Sequence, residues 1–151
     1  MMEKCDNRSV GVIVENEFDE TLLVSRARFP FGWAAPAGHV DSHGGVEQTA
    51  VDEVFEETGV VVGIDDLEKV IDNQRIENVC RRPGGDHHYW TVYRARVRKQ
   101  ELTLAPEEVL DVQWVSRQTL AALALGTVQQ EEIQAGDAAL EAIWGGFFEV
   151  K

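Results

Sequence analysis

The sequence predicts an α/β (α+β) fold in one domain, residues 1–151, with helices packed on both faces of a central mixed β-sheet. Three observations predict it. Apolar residues alternate with others near the start and again through the middle third. One Glu-rich segment, Val46 to Thr58, carries its apolar residues at helical spacing, and the stretch after Ser116 reads as helical. A chain of 151 residues can bury one core of ordinary size but not two.

Val10, Val12 and Val14 alternate, Asn16 to Glu20 interrupts, and Leu22, Leu23 and Val24 resume, which predicts a hairpin. Residues 26–45 hold Pro30, Pro36, Gly32, Gly38, Gly44 and Gly45 and read as a loop region around short extended pieces. Val46 to Thr58 is the clearest helix, and Gly59 stands where a left-handed C-cap is expected. Strands are predicted at Val60 to Gly63, Glu68 to Val79 and His88 to Val97, with a turn at residues 82–86. Asp111 to Val115 reads as a short strand. Ser116 caps a helix running to about Leu125, and Glu131 to Trp144 reads as a last amphipathic helix.

Composition removes several function classes. The chain is 44% hydrophobic and 27% charged, and no apolar run approaches the roughly 20 residues that cross a bilayer. No membrane association is expected. The segment from Met1 to Ser9 does not read as a secretory signal, so a cytoplasmic location is expected. Cys5 and Cys80 lie far apart without zinc-ligand spacing and read as ordinary thiols. A net charge of −13 opposes binding to a nucleic acid polymer, since Lys and Arg contacts to phosphate supply most of that affinity. The expected partner is a small-molecule nucleotide, with a homodimer left open.

On a helical wheel at about 100° per residue, Glu56 falls within about 60° of Glu53 and Glu57 within about 40°, so three carboxylates share one face. Val51, Val54 and Phe55 are expected on the other side. Three neighbouring carboxylates repel one another unless a cation neutralises them, and hard oxygen ligands suit Mg²⁺ or Mn²⁺. On this pattern alone, a solvated acidic face is the commoner alternative.

The whole stretch from Gly38 to Val60, GHVDSHGGVEQTAVDEVFEETGV, is more specific. It resembles the Nudix box, G-x5-E-x7-R-E-U-x-E-E-x-G-U with U aliphatic, and matches at Gly38, Glu53, Val54, Glu56, Glu57, Gly59 and Val60. The preceding Gly32-Trp33 and Pro36-Ala37-Gly38-His39 are similar to the lead-in of many members of that superfamily. Two box positions depart: Gly44 replaces the first Glu, and Asp52 replaces the Arg before Glu53. Arg at 52 could pair with Glu56 at i,i+4. Asp52 makes that pair repulsive by a few tenths of a kcal/mol in an exposed setting, leaving a metal-free site that is less well ordered.

The resemblance implies a Nudix-type α/β/α sandwich. It also implies hydrolysis of a pyrophosphate bond in a nucleoside diphosphate linked to a group X, with Mg²⁺ (Mn²⁺ as substitute) held by Glu53, Glu56, Glu57 and the Gly38 carbonyl. Glu53 would orient or deprotonate the attacking water. In other members the base sits on a later loop, where Glu107 and Glu108 stand here, and Glu108 is a further candidate ligand. Arg26 and Arg28 are placed to meet phosphates, with Arg75 as an alternative cation, while Trp33 and His39 of the lead-in are candidates to line the substrate site. Packing is the alternative for Trp33, and a sheet-packing role the alternative for His88 and Trp90. A second enzyme reading, a Nudix-fold isomerase of isopentenyl diphosphate, needs an activated Cys, and Cys80 has no supporting motif. A third reading is a binding module in which Gly44 and Asp52 mark lost catalysis. No array like that of the NADH-cleaving members occurs, so the X group stays open.

Overall fold

The computed structural model describes residues 8–27, 32–40, 45–76, 88–105, 107, 109–125 and 144. Seven strands and two α-helices are built from them: β1 (Arg8–Glu15), β2 (Thr21–Arg26), β3 (Trp33–Ala34), β4 (Ala37–His39), α1 (Val46–Thr58), β5 (Glu68–Ile76), β6 (His88–Arg96), β7 (Val109–Val115) and α2 (Arg117–Leu125).

The strands form one mixed sheet. β1 runs parallel to β6 along its full length, from Arg8 opposite Tyr89 to Glu15 opposite Arg96. On its other edge, β1 meets β2 antiparallel only at Glu15 and Thr21, and the two strands then diverge. β3 and β4 fill the resulting wedge, β3 pairing with β2 and β4 with β1. β7 extends the sheet beyond β2, and β5 extends it beyond β6. The wedge sets Gly38 of β4 opposite Val10, in the strand that lies nearest α1.

The period-2 pattern of β1 separates two cores. Val10, Val12 and Val14 pack with Leu22, Ala50, Val54 and Val60 beneath α1. Ile13 and Leu23 pack on the opposite face with Leu120 of α2 and Trp144. The expected helices on both faces are therefore present, α1 on one and α2 on the other. Of the predicted helix from Glu131 to Trp144, only Trp144 lies within the described residues, and it is helical. Its indole packs edge-on against Trp90, with ring centroids 5.7 Å apart, and sits directly on Gly11, where a side chain would meet it.

The turn between β1 and β2 is organised by Asn16, whose Oδ1 accepts the N–H groups of Phe18 (2.9 Å) and Glu20 (3.1 Å). Ser116 caps α2 as expected, its Oγ accepting the Thr119 N–H at 3.1 Å. One predicted strand is absent. Residues 60–63 bury Val60 and Val62, but the N–H and C=O of Val61 bond to the side-chain amide of Gln100 at 2.9 and 3.0 Å, so a single side chain takes the place of a strand ladder. A 3-10 turn, Ile64–Asp66, follows. Among the described residues no helix is long and apolar enough to cross a membrane.

Candidate active site

Helix α1 has no side-chain cap at its start and ends on Gly59, whose φ of 79° is left-handed and whose N–H reaches the Phe55 carbonyl at 2.8 Å. Its buried stripe is not opposite the acidic face, as the sequence suggested, but beside it. At about 100° per residue from Glu53, Glu57 stands at about 40°, Ala50 at about 60° and Val54 at about 100°. Ala50, Val54 and Glu57 are buried accordingly. Phe55, at about 200°, faces solvent and is 57% exposed, because the Ala50–Val54 line rather than Phe55 sets the contact with the sheet.

The three glutamates are thus graded in burial. Glu57 is innermost, 5% exposed, and its Oε1 accepts the Ala37 N–H at 3.0 Å. That bond fixes a carboxylate that burial would otherwise penalise. Glu53 is half-buried, and its carboxyl rests on the Cα of Gly38. A Cβ on residue 38 would lie 2.8 Å from Glu53 Cγ and closer still to its carboxyl carbon and oxygen. The glycine of the box is required here for close approach, not for a special backbone angle. Glu56, outermost, is exposed. Asp52, at the position of the expected Arg, accepts a hydrogen bond from Gln48 Nε2 at 2.8 Å along the helix.

β4 and α1 therefore bring two carboxylates and a glycine backbone to one place. Hard oxygen donors of this kind suit a divalent cation of the Mg²⁺ class. The Gly38 cradle, which a side chain would fill, is the observation that favours such a site. Among the described residues no three acidic, His or Cys groups already converge on one point, so Glu56 would have to swing in to complete the set.

The predicted substrate residues are spread more widely. Arg26 ends β2 at a register slip opposite Val109, and its N–H donates to the Gly32 carbonyl at 3.0 Å. The Val109 N–H closes a turn on the Ala105 carbonyl at 3.0 Å, which brings the segment carrying exposed Glu107 beside Arg26. Arg28 and Glu108 lie outside the described residues, as do Cys5, Cys80 and Gly44. Trp33, partly buried, packs against the α2-side core, and Trp90 is buried there too. Arg75 is exposed on edge strand β5, with its guanidinium carbon 6.0 Å from the Tyr89 ring centroid. His39 is half-buried, its ring 5.6 Å from that of His88, a buried residue. No local pattern points to that imidazole pair, because the two residues meet only through the β4–β1–β6 order of the sheet.

A NUDIX domain model matches residues 6–136, most of the chain. The chain belongs to the NUDIX family, the hydrolase superfamily that its box resembles. Among solved structures it is similar to the MutT protein from Methanosarcina mazei Go1, at 22% identity over 99% of this chain and 94% of that one, with a TM-score of 0.64. It is similar also to the NUDIX domain of Shewanella oneidensis NrtR, solved with ADP ribose, at 19% identity over 100% and 91% (TM-score 0.64). A third likeness is to the E. coli dihydroneopterin triphosphate pyrophosphohydrolase, at 22% identity over 82% and 88% (TM-score 0.63). These likenesses carry the fold. No match emerges among curated protein sequences.

Proposed function

We propose that the chain is a metal-dependent hydrolase that cleaves a pyrophosphate bond in a nucleoside diphosphate linked to a group X, of the nucleoside triphosphate or nucleotide sugar type. The observation that carries the reading is the seating of Glu53 on Gly38 together with the Glu57 bond to Ala37, which turns two glutamates of the box toward the β4 backbone. Glu53, Glu56, Glu57 and the Gly38 carbonyl would hold Mg²⁺ or Mn²⁺. When bound, the cation neutralises charge on the phosphate oxygens and acidifies water for attack on phosphorus. Glu53, half in contact with solvent, orients that water and takes its proton, with Glu107 and Glu108 as the alternative base. Arg26, beside the segment that carries Glu107, holds phosphate oxygens, and Arg28 assists it. Neighbours of this fold solved with ADP ribose or named as acting on a pterin triphosphate support a small nucleotide-like substrate.

The test is phosphate and pyrophosphate release from a panel of nucleoside triphosphates and nucleotide sugars with Mg²⁺ or Mn²⁺, in wild type and Glu56→Gln. Glu56 is exposed, so the substitution should spare the fold. Turnover by wild type and its loss in the variant support the reading. A second reading, a nucleotide-binding module without catalysis, is favoured by Asp52, which places a fourth carboxylate where the box has a cation. Nucleotide binding without turnover of any panel member would establish it.

A further inference from the structure

Helix α1 is held differently at its two ends. At its start, Gly45 has no side chain with which to cap the first-turn N–H groups, and no side chain caps them among the described residues. At its end, beside Glu57, directional bonds gather. The Thr58 hydroxyl donates to the Val54 carbonyl at 2.5 Å and accepts the Val60 N–H at 3.1 Å. The Thr58 carbonyl, left by the helix without an intrahelical donor, accepts the Thr103 N–H at 2.8 Å. Just beyond, the side-chain amide of Gln100 takes both backbone groups of Val61, accepting its N–H at 2.9 Å and donating to its carbonyl at 3.0 Å.

Residues 97–105, between β6 and β7, thus form a strap across this end of the helix. A Cβ on Gly59 would meet Thr103 Oγ1 at 2.9 Å, so the strap lies directly on the helix cap. It is anchored in turn to the sheet. The Trp114 indole N–H of β7 donates to the Gln100 carbonyl at 2.9 Å. The Lys99 N–H donates to Glu17 Oε1 at 2.7 Å, and Lys99 Nζ stands 2.9 Å from Glu20 Oε1, both in the β1–β2 turn. Gln100 therefore joins the segment after α1 to β7, through its side chain on one side and its carbonyl on the other.

Glu53, Glu56 and Glu57 occupy the strapped half of the helix. Ala50 and Val54 hold α1 against the sheet by apolar contact, which is non-directional and leaves the helix free to slide or turn slightly. Glu57 does not tolerate such movement, because its Oε1 must reach the Ala37 N–H. We propose that Gln100 is a positioning residue for Glu57, fixing the end of α1 so that this carboxylate meets the β4 backbone where the cation is to be held. The connection to the cation rests on the metal-dependent reading above, whereas the connection to Ala37 does not. The Gln100 bonds to Val61 face solvent, so water can replace them and their loss frees the helix end without unfolding the protein.

The test compares wild type with Gln100→Met, which keeps the length of the side chain and removes both bonds. Ile71→Val, a core truncation on β5 with β6 and β1 between it and β4, controls for general loss of stability. Thermal melts establish that each variant is folded. The Ala37 amide proton is followed by NMR, first in EDTA and then through a Mg²⁺ titration. In EDTA its signal should move upfield in Gln100→Met, as a carboxylate acceptor is partly withdrawn, and should stay in place in Ile71→Val. The Mg²⁺ midpoint should rise about tenfold in Gln100→Met alone, as when a group that orients a metal ligand is lost. An Ala37 signal that does not move in folded Gln100→Met overturns the proposal, as does the same displacement in Ile71→Val. Where wild type binds Mg²⁺, an unchanged midpoint in Gln100→Met overturns it too. A wild type that does not respond to Mg²⁺ counts against the metal-dependent reading, and the Ala37 signal in EDTA then decides the positioning role by itself.

Discussion

Glu53 and Glu57 meet the same short strand in different ways. Glu57 is tied by a hydrogen bond to the Ala37 backbone, whereas Glu53 depends on the missing side chain of Gly38. Gly38→Ala should therefore displace the Glu53 carboxyl while leaving Glu57 in place. The expected result is a loss of about 1–3 kcal/mol in urea melts, typical of an overpacked contact, together with a smaller Mg²⁺-induced rise in melting temperature than wild type shows. A second residue-level prediction concerns the β1–β2 turn. The Asn16 side-chain amide and Lys99 Nζ, each 2.9 Å from Glu20 Oε1, hold the Glu20 carboxyl below its ordinary value of 4.5. A carboxyl with a lowered folded pKa stabilises the protein above the unfolded value and loses that contribution as pH falls through the folded one. Stability should decline below about pH 4.5. In Lys99→Met an NMR titration should find the Glu20 pKa nearer its ordinary value, and the stability gap from wild type should close on acidification.

Helix α1 was legible in the sequence because its information is local. Its span, its Gly59 cap and the fixed spacing of the box are all properties of consecutive residues. Gly59→Ala should cost about 1 kcal/mol for the left-handed angle, and more if Thr103 cannot move, since its Oγ1 would lie 2.9 Å from the new Cβ. Thermal or urea melts measure this directly. The side of the helix that buries was less legible. Val51, Val54 and Phe55 look alike in sequence, but the sheet contact follows Ala50 and Val54, leaving Phe55 in solvent and drawing Glu57 inward. At residues 60–63, alternating valines suggested a strand, yet Gln100, which no local pattern points to, supplies the hydrogen bonds. The departure at residue 52 is testable on the same helix. Asp52→Arg removes a repulsive neighbour of Glu56 and should raise the metal-free stability by a few tenths of a kcal/mol, with the Gln48 bond to Asp52 lost as a partial offset.

Over the whole molecule, the parallel pairing of β1 with β6 and the wedge between β1 and β2 determine what meets what. The fold class could be inferred from the alternation of elements, but the pairing of His39 with His88 and the clamp of Gln100 on Val61 could not. Both join residues far apart in sequence. The two-sided core makes its own prediction. Gly11 is where Trp144 lies on β1, and a Cβ there would sit 2.7 Å from Trp144 Cζ2, with Cη2 nearer. Gly11→Ala should cost about 1–3 kcal/mol by overpacking and should alter Trp fluorescence.

In the proposed function the glutamates of α1, set against the Ala37–Gly38 backbone, hold the cation for pyrophosphate cleavage. Its most direct test is the Mg²⁺-dependent hydrolysis rate of the best substrate in wild type and Glu57→Gln, since Gln keeps an oxygen for the Ala37 N–H but removes the charge. The expected result is a fall in kcat on the order of a hundredfold with the fold retained, as when a group stabilising transition-state charge is lost. A folded Glu57→Gln protein that turns over at the wild-type rate would contradict it.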